Sequence, residues 1–170
     1  KADTLRSVAP LLNCAIVLPV ESFTAQEWKA NSSDLIAHFQ ECGWFEKELI
    51  VRSSSLLEDT KKCSLAGHFL SVSHVSGQDE FTQAVEAVLD SYHDDGEAHQ
   101  VLVQPMLLEV DMSGVAFSKD HNSGAPYFVV SYDDQTGSTS SVTSGDCKTQ
   151  KICYQSRFSD EFTSERVRKV

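Results

Sequence analysis

Apolar residues recur along the chain at two spacings, one helical and one alternating. In DTLRSVAPLLN (3–13), Leu5, Val8, Leu11 and Leu12 form a helical stripe that Asp3 or Thr4 can cap. CAIVLP (14–19) is a short apolar run stopped by proline and is expected to be a strand. SFTAQEWKANSSDLIAHFQECGWF (22–45) predicts helix in two pieces. Thr24 with Glu27 makes a capping box for the first piece, and Ser32 or Ser33 caps a second that ends near Gly43. ELIVRSS (48–54) has the look of a buried strand, and GHFLSVSHV (67–75) alternates like a strand with one wet face. In GQDEFTQAVEAVLDSYHDDGEAHQ (77–100), Phe81, Val85, Val88, Leu89 and Tyr92 share one helical face, and Asp94-Asp95-Gly96 ends it. VLVQPMLLEV (101–110) predicts an apolar strand, with Pro105 marking an edge or an exit from the sheet. SGVAFSKDHNSGAPYFVVSYDD (113–134) predicts strand, turn and strand, turning at Asn122-Ser123-Gly124. TGSTSSVTSG (136–145) is a loop, and VTSGDCKTQKICYQ (142–155) holds one more strand.

Helix–strand alternation thus gives way to hairpins. That is an α+β pattern of two lobes with mixed or antiparallel sheets. The break is expected near Asp94–His99, dividing the chain into 1–96 and 97–170. With 170 residues, 41% of them hydrophobic, the chain can build a core without metals or disulfides. No apolar run approaches the roughly 20 residues of a membrane span, and no signal peptide is seen, so no membrane partner is expected. The first residue is Lys1 rather than Met, which fits a piece of a larger protein.

Charge narrows the function further. The net charge is −11, and basic residues cluster only in the tail at Arg166, Arg168 and Lys169. Such a surface repels a phosphate backbone, so no nucleic-acid partner is expected. A nucleotide would need a few well-placed cations and a metal ion. The cysteines, Cys14, Cys42, Cys63, Cys147 and Cys153, are odd in number and contain no CxxC, which leaves a zinc site unsupported. Reduced, mostly buried thiols in a cytoplasmic protein are the expectation.

The stretch VRSSSLLEDTKKCSLAGHF (51–69) carries the most chemistry. A strand ends in Arg52, whose guanidinium keeps its charge and matches phosphate oxygens two at a time. Ser64-Leu65-Ala66-Gly67 follows, where small residues let backbone N–H groups approach an anion. The plain alternative is that Arg52 pairs with Glu58 or Asp59 and the serines cap turns.

VRSS, then EDT and SLAGHFLSV, then VLVQPML, then SGVAFS and SGAPYFVV, then VTSG follow one another in order over about residues 50–145. In this the chain resembles the nucleotide-binding domain of the phosphoenolpyruvate synthase and pyruvate phosphate dikinase family, whose fold is an ATP-grasp. The resemblance implies that Arg52 holds ATP phosphates and that Ser64, Ala66 and Gly67 form a turn covering them. It places the adenine between two sheets, against the backbone of Gln104, Pro105 and Met106; the alternative for VQPML is a plain core strand. KADTLRSV resembles the segment whose lysine contacts the ATP phosphates, which would make Lys1 that residue, against the alternative of an ordinary terminal lysine.

The pattern departs from the family at its end. A glutamate and a G-L-G-E segment are usual there, and this chain has SYDDQTGSTSSVTSG instead. Asp133 and Asp134 end the strand where a ligand to Mg²⁺ is expected, since a hard cation favours carboxylate oxygen; an Asp-Asp turn is the alternative. The departure is similar to a divergent branch that includes the L-glutamine kinase of capsule phosphoramidate synthesis. The family passes the β-phosphoryl of ATP through a histidine on another domain, leaving AMP and phosphate. None of the histidines here lies in a segment like that phosphocarrier motif. The resemblance therefore implies an ATP-dependent phosphotransferase of which this chain is the nucleotide-binding part. Its partners would be a phosphocarrier histidine domain and a small-molecule acceptor, pyruvate or an amide nitrogen such as that of L-glutamine. The competing reading is a degenerate, non-catalytic scaffold that has lost the metal site.

Overall fold

The computed structural model describes residues 1–54, 70–92, 99–143, 148–162 and 164–169. The chain divides into two compact units, Lys1–Met106 and Leu107–Val170. In the first, helix α1 (Ala2–Val8) runs into a 3-10 turn (Ala9–Leu11). Strand β1 (Glu21–Thr24), helix α2 (Ala25–Glu41), strands β2 (Leu49–Ser54) and β3 (Ser71–Val75), helix α3 (Gly77–Asp90) and strand β4 (Gln100–Pro105) follow. The sheet order is β1-β4-β2-β3, and every pairing is antiparallel. The second unit is an antiparallel sheet of β5 (Ser113–Phe117), β6 (Tyr127–Asp133) and β7 (Lys151–Ser156), in that order. The molecule is α+β, and the described sheets are antiparallel rather than mixed.

Alternation along β2 decides what faces what. Leu49 and Val51 are fully buried and join Val101, Val103 and Val75 in a core with Trp28 and Phe39 of α2 and Phe81, Val85 and Val88 of α3. Phe39 and Phe81 meet with ring centroids 4.8 Å apart. Because side chains alternate, Ile50, Arg52 and Ser54 point to the other face of the sheet. Arg52 stands opposite Leu102 of β4 there. The fold thus assigns one sheet face to packing and leaves the face carrying Arg52 to α1.

Several expectations hold. Thr24 and Glu27 form the capping box, with Glu27 N–H donating to the Thr24 hydroxyl (3.1 Å) and the Glu27 carboxylate accepting from Thr24 N–H (2.7 Å). The helix comes in two pieces, broken where Asn31 leaves helical geometry at φ −143°. It closes before Gly43, whose φ of +68° suits glycine. The hairpin turn lies at 121–124, and Gly124 N–H donates to Asp120 C=O (2.9 Å).

Other expectations are corrected. CAIVLP is not a strand: residues 14–19 lie outside any described element, and Ile16 is 91% exposed. That run pairs with no described strand, whereas ESFT, whose last three residues the sequence joins to the following helix, pairs with β4. Cys14 and Cys42 are exposed and Cys153 is half-buried, so the described thiols are free but not buried. β4 lies between β1 and β2, so it is the middle of the first sheet and the division between units falls after Met106, beyond the expected 94–99. β3 carries a register shift against Leu49–Val51 and a left-handed residue, His74, at φ +58°. No described helix is long and apolar enough to cross a membrane.

Candidate functional site

Arg52 is half-buried in the middle of β2, and its Nε is buried with no hydrogen-bond partner among the described residues. Buried donors are nearly always paired, and leaving one unpaired costs about 1–3 kcal/mol. Arg52 lines a cavity of about 280 Å³ with Lys1, Thr4, Leu5 and Leu102. Two cationic side chains therefore meet at one concavity in a chain of net charge −11. Leu5 and Leu102 supply an apolar wall, which lowers the local dielectric and strengthens the attraction for an anion. The volume is close to the lower end for small-molecule sites, roughly 300 Å³, and suits a phosphate arm better than a whole nucleotide.

Local structure explains how Lys1 reaches Arg52. Ser54, two residues after Arg52 on the same sheet face, accepts the N–H of buried Ala2 on its hydroxyl at 3.4 Å. The backbone N–H of Ser54 donates to the Tyr92 hydroxyl (3.0 Å), which donates in turn to Gln100 C=O (2.6 Å). Ser54 and Gln100 are register partners, so this hydroxyl bridges the last rung between β2 and β4. The Tyr92 ring stacks on His99 at 4.0 Å and 4°. The sequence singled out Lys1 and Arg52, which the structure places at one cavity, but not Ser54, Tyr92, Thr4, Leu5 or Leu102 beside them. Only the alternation in LIVRSS, which sets Arg52 and Ser54 on one face, pointed to any of them.

The other expected residues fall differently. Ser64, Ala66 and Gly67 lie outside the described residues, as do Glu58 and Asp59. Gln104 and Pro105 stand opposite Ile50 and Leu49, and Met106 N–H donates to Glu48 C=O at 2.7 Å. That N–H is therefore committed within the sheet. The pairing with β1 stops at Glu21 opposite Val103, so beyond Val103 β4 has no strand partner on its β1 side among the described residues. Pro105 has no N–H and can offer only its carbonyl there.

Asp133 and Asp134 belong to the second unit and serve the protein itself. Asp133 is buried at the end of β6 and accepts the N–H groups of Gln135 (3.0 Å) and Thr136 (3.3 Å) and the Thr136 hydroxyl. The Thr136 hydroxyl, followed by Gln135 N–H and the Ser141 hydroxyl, holds its carboxyl far below the usual carboxylate range against the opposing effect of desolvation. Asp134 pairs with Lys151 Nζ (2.7 Å) and lies 3.8 Å from Arg166 Nε. The Lys151 hydrogen bond pulls its carboxyl down and pushes the lysine up. Among the described residues no three His, Cys, Asp or Glu side chains gather where they could share a metal ion. These carboxylates do not fit a preformed Mg²⁺ site: a metal would have to displace Thr136 from Asp133 or Lys151 from Asp134.

The sequence matches a family model described as pyruvate phosphate dikinase, AMP/ATP-binding domain, over residues 24–168. Lys1 precedes the matched segment and Arg52 lies within it. No curated protein matches the chain.

Proposed function

The chain belongs to the pyruvate phosphate dikinase AMP/ATP-binding family, and we propose that it holds ATP by its phosphates at the cavity of Lys1 and Arg52 for phosphoryl transfer. The observation that carries this reading is that Arg52, whose Nε is buried with no partner among the described residues, lines one cavity with Lys1. A buried donor left unpaired calls for an explanation, and a ligand that orders the guanidinium is one. Arg52 would hold phosphate oxygens through its donors, and Lys1 would add a second positive charge. Both stabilise negative charge that shifts towards the departing oxygens during transfer, so catalysis here is positioning and electrostatics. The carbonyl of Pro105, on a side of β4 with no described strand partner, is the group of the hinge best placed to accept from an adenine amine. Mg²⁺ would arrive bound to the phosphates, since Asp133 and Asp134 are engaged.

The remainder of the reading extends the family's character to this chain. The β-phosphoryl group passes to a histidine on another domain, leaving AMP and free phosphate, and the final acceptor is pyruvate or an amide nitrogen such as that of L-glutamine. That Cys14, Cys42 and Cys153 are in no disulfide supports a reducing, cytoplasmic setting. The engagement of both aspartates favours one second reading, a degenerate scaffold that no longer turns over nucleotide.

Calorimetric titration of Mg-ATP separates the two. Saturable binding that is lost in Arg52→Ala is expected. No heat at millimolar ATP supports the scaffold, and binding indifferent to Arg52→Ala moves the site elsewhere.

A further inference from the structure

We propose that Ser54 and Tyr92 are positioning residues that set Lys1 beside Arg52, so that phosphate binding at this cavity depends on a hydroxyl inserted between β2 and β4. The inference rests on the ATP-binding reading for its functional consequence but on geometry for its mechanism.

The connections form one chain. Tyr92 donates to Gln100 C=O and accepts Ser54 N–H, both within hydrogen-bond distance, so its hydroxyl stands where the last rung of the β2–β4 ladder would close directly. The bonds on either side of that oxygen are 3.0 and 2.6 Å, so the two strand ends are tied to each other through Tyr92. Ser54 is therefore fixed by an element far from it in sequence. Its own hydroxyl then accepts Ala2 N–H, the first amide of α1. Ala2 is fully buried, so this contact fixes where α1 starts and where Lys1 stands. Arg52 itself is fixed by its strand, opposite Leu102. Of the two cations, only Lys1 depends on the Ser54 contact. Ser54 is also the last residue of β2, so the chain enters the expected phosphate turn from a point held by Tyr92.

The sidedness of the dependence gives the test. Loss of Ser54 should act on Lys1 and leave Arg52 in place. ATP affinity is measured by calorimetry for the parent, Ser54→Ala, Lys1→Met and the double variant. Ser54→Ala is expected to weaken binding roughly two- to tenfold, the worth of one hydrogen bond. In the Lys1→Met background the same substitution is expected to change nothing, because the residue it places is gone. A purely structural role would instead give additive losses, and additivity overturns the proposal. Tyr92→Phe should behave as Ser54→Ala does, and should Tyr92→Phe fail to fold, the Ser54 cycle decides alone. Hydrogen exchange without nucleotide supplies an independent arm. Ser54→Ala is expected to speed exchange in residues 2–8 while α3 keeps its protection, and unchanged exchange in 2–8 overturns the coupling. Arg52→Ala distinguishes the levels. If it leaves ATP binding intact, the assignment of the phosphate site to this cavity fails and the positioning role with it; if it abolishes binding while the Ser54 cycle is additive, only the positioning role fails.

Discussion

A guanidinium nitrogen buried without a partner is a strain that the rest of β2 sustains, so function and stability should oppose each other at Arg52. Arg52→Met keeps the apolar stem and removes the charge. It is expected to raise stability in the absence of ATP by roughly 1 kcal/mol and to abolish the rise in melting temperature that ATP gives the parent. Thermal melts with and without ATP check both; a variant less stable than the parent without ATP would show that Arg52 has a protein partner. Asp133 makes the opposite case, a charge fully satisfied by the fold. Its carboxyl titrates below the unfolded value of 3.8, chiefly through the Thr136 hydroxyl. The stability it contributes is therefore complete above about pH 5 and is lost as pH falls through 4 and beyond. Asp133→Asn is expected to lower the melting temperature at pH 7 and to flatten its decline between about pH 5 and pH 2. A decline as steep as the parent's would assign the acid sensitivity to other carboxylates. Arg52 stands out in the sequence as a charge at the end of an apolar run, and the order of the motifs around it suggests a phosphate role. The use of Asp133 was not legible, because it depends on how Thr136 and Ser141 fold back, and a loop sequence does not state its own path.

At the scale of elements, local signals were readable and distant pairings were not. The box of Thr24 and Glu27 needs only residues three apart, and it starts α2 where expected. Thr24→Ala is expected to lower stability by about 1 kcal/mol, read as a lower urea midpoint with an unchanged slope. An unchanged midpoint would mean that α2 is held by packing of Trp28 and Phe39 alone. The stripe of Phe81, Val85 and Val88 likewise predicts its own burial. β1 escaped detection because its partner β4 lies far along the chain, and nothing in ESFT announces that partner. CAIVLP misled for the converse reason: apolar composition without a neighbouring strand does not make a strand.

For the whole molecule, the decisive fact is that β4 is shared by β1 and β2 in the middle of the first sheet. A fragment of residues 1–96 lacks that strand and is expected to show no cooperative unfolding, whereas residues 1–106 contain every described strand of the sheet and should melt in one transition. Circular dichroism of the two fragments checks this, and cooperative folding of 1–96 would restore the boundary read from the sequence. The fold class was legible because helix and strand periods differ. The boundary was not, because a turn rich in Asp and Gly marks the end of an element and not the end of a domain. One last feature reaches beyond the single chain. β3 is the outer strand of the described first sheet, and its register shift and the left-handed His74 break the straight row of amides that another strand would need to dock against. The irregularity thereby discourages edge-to-edge pairing, so that copies of the chain are less able to join sheet to sheet.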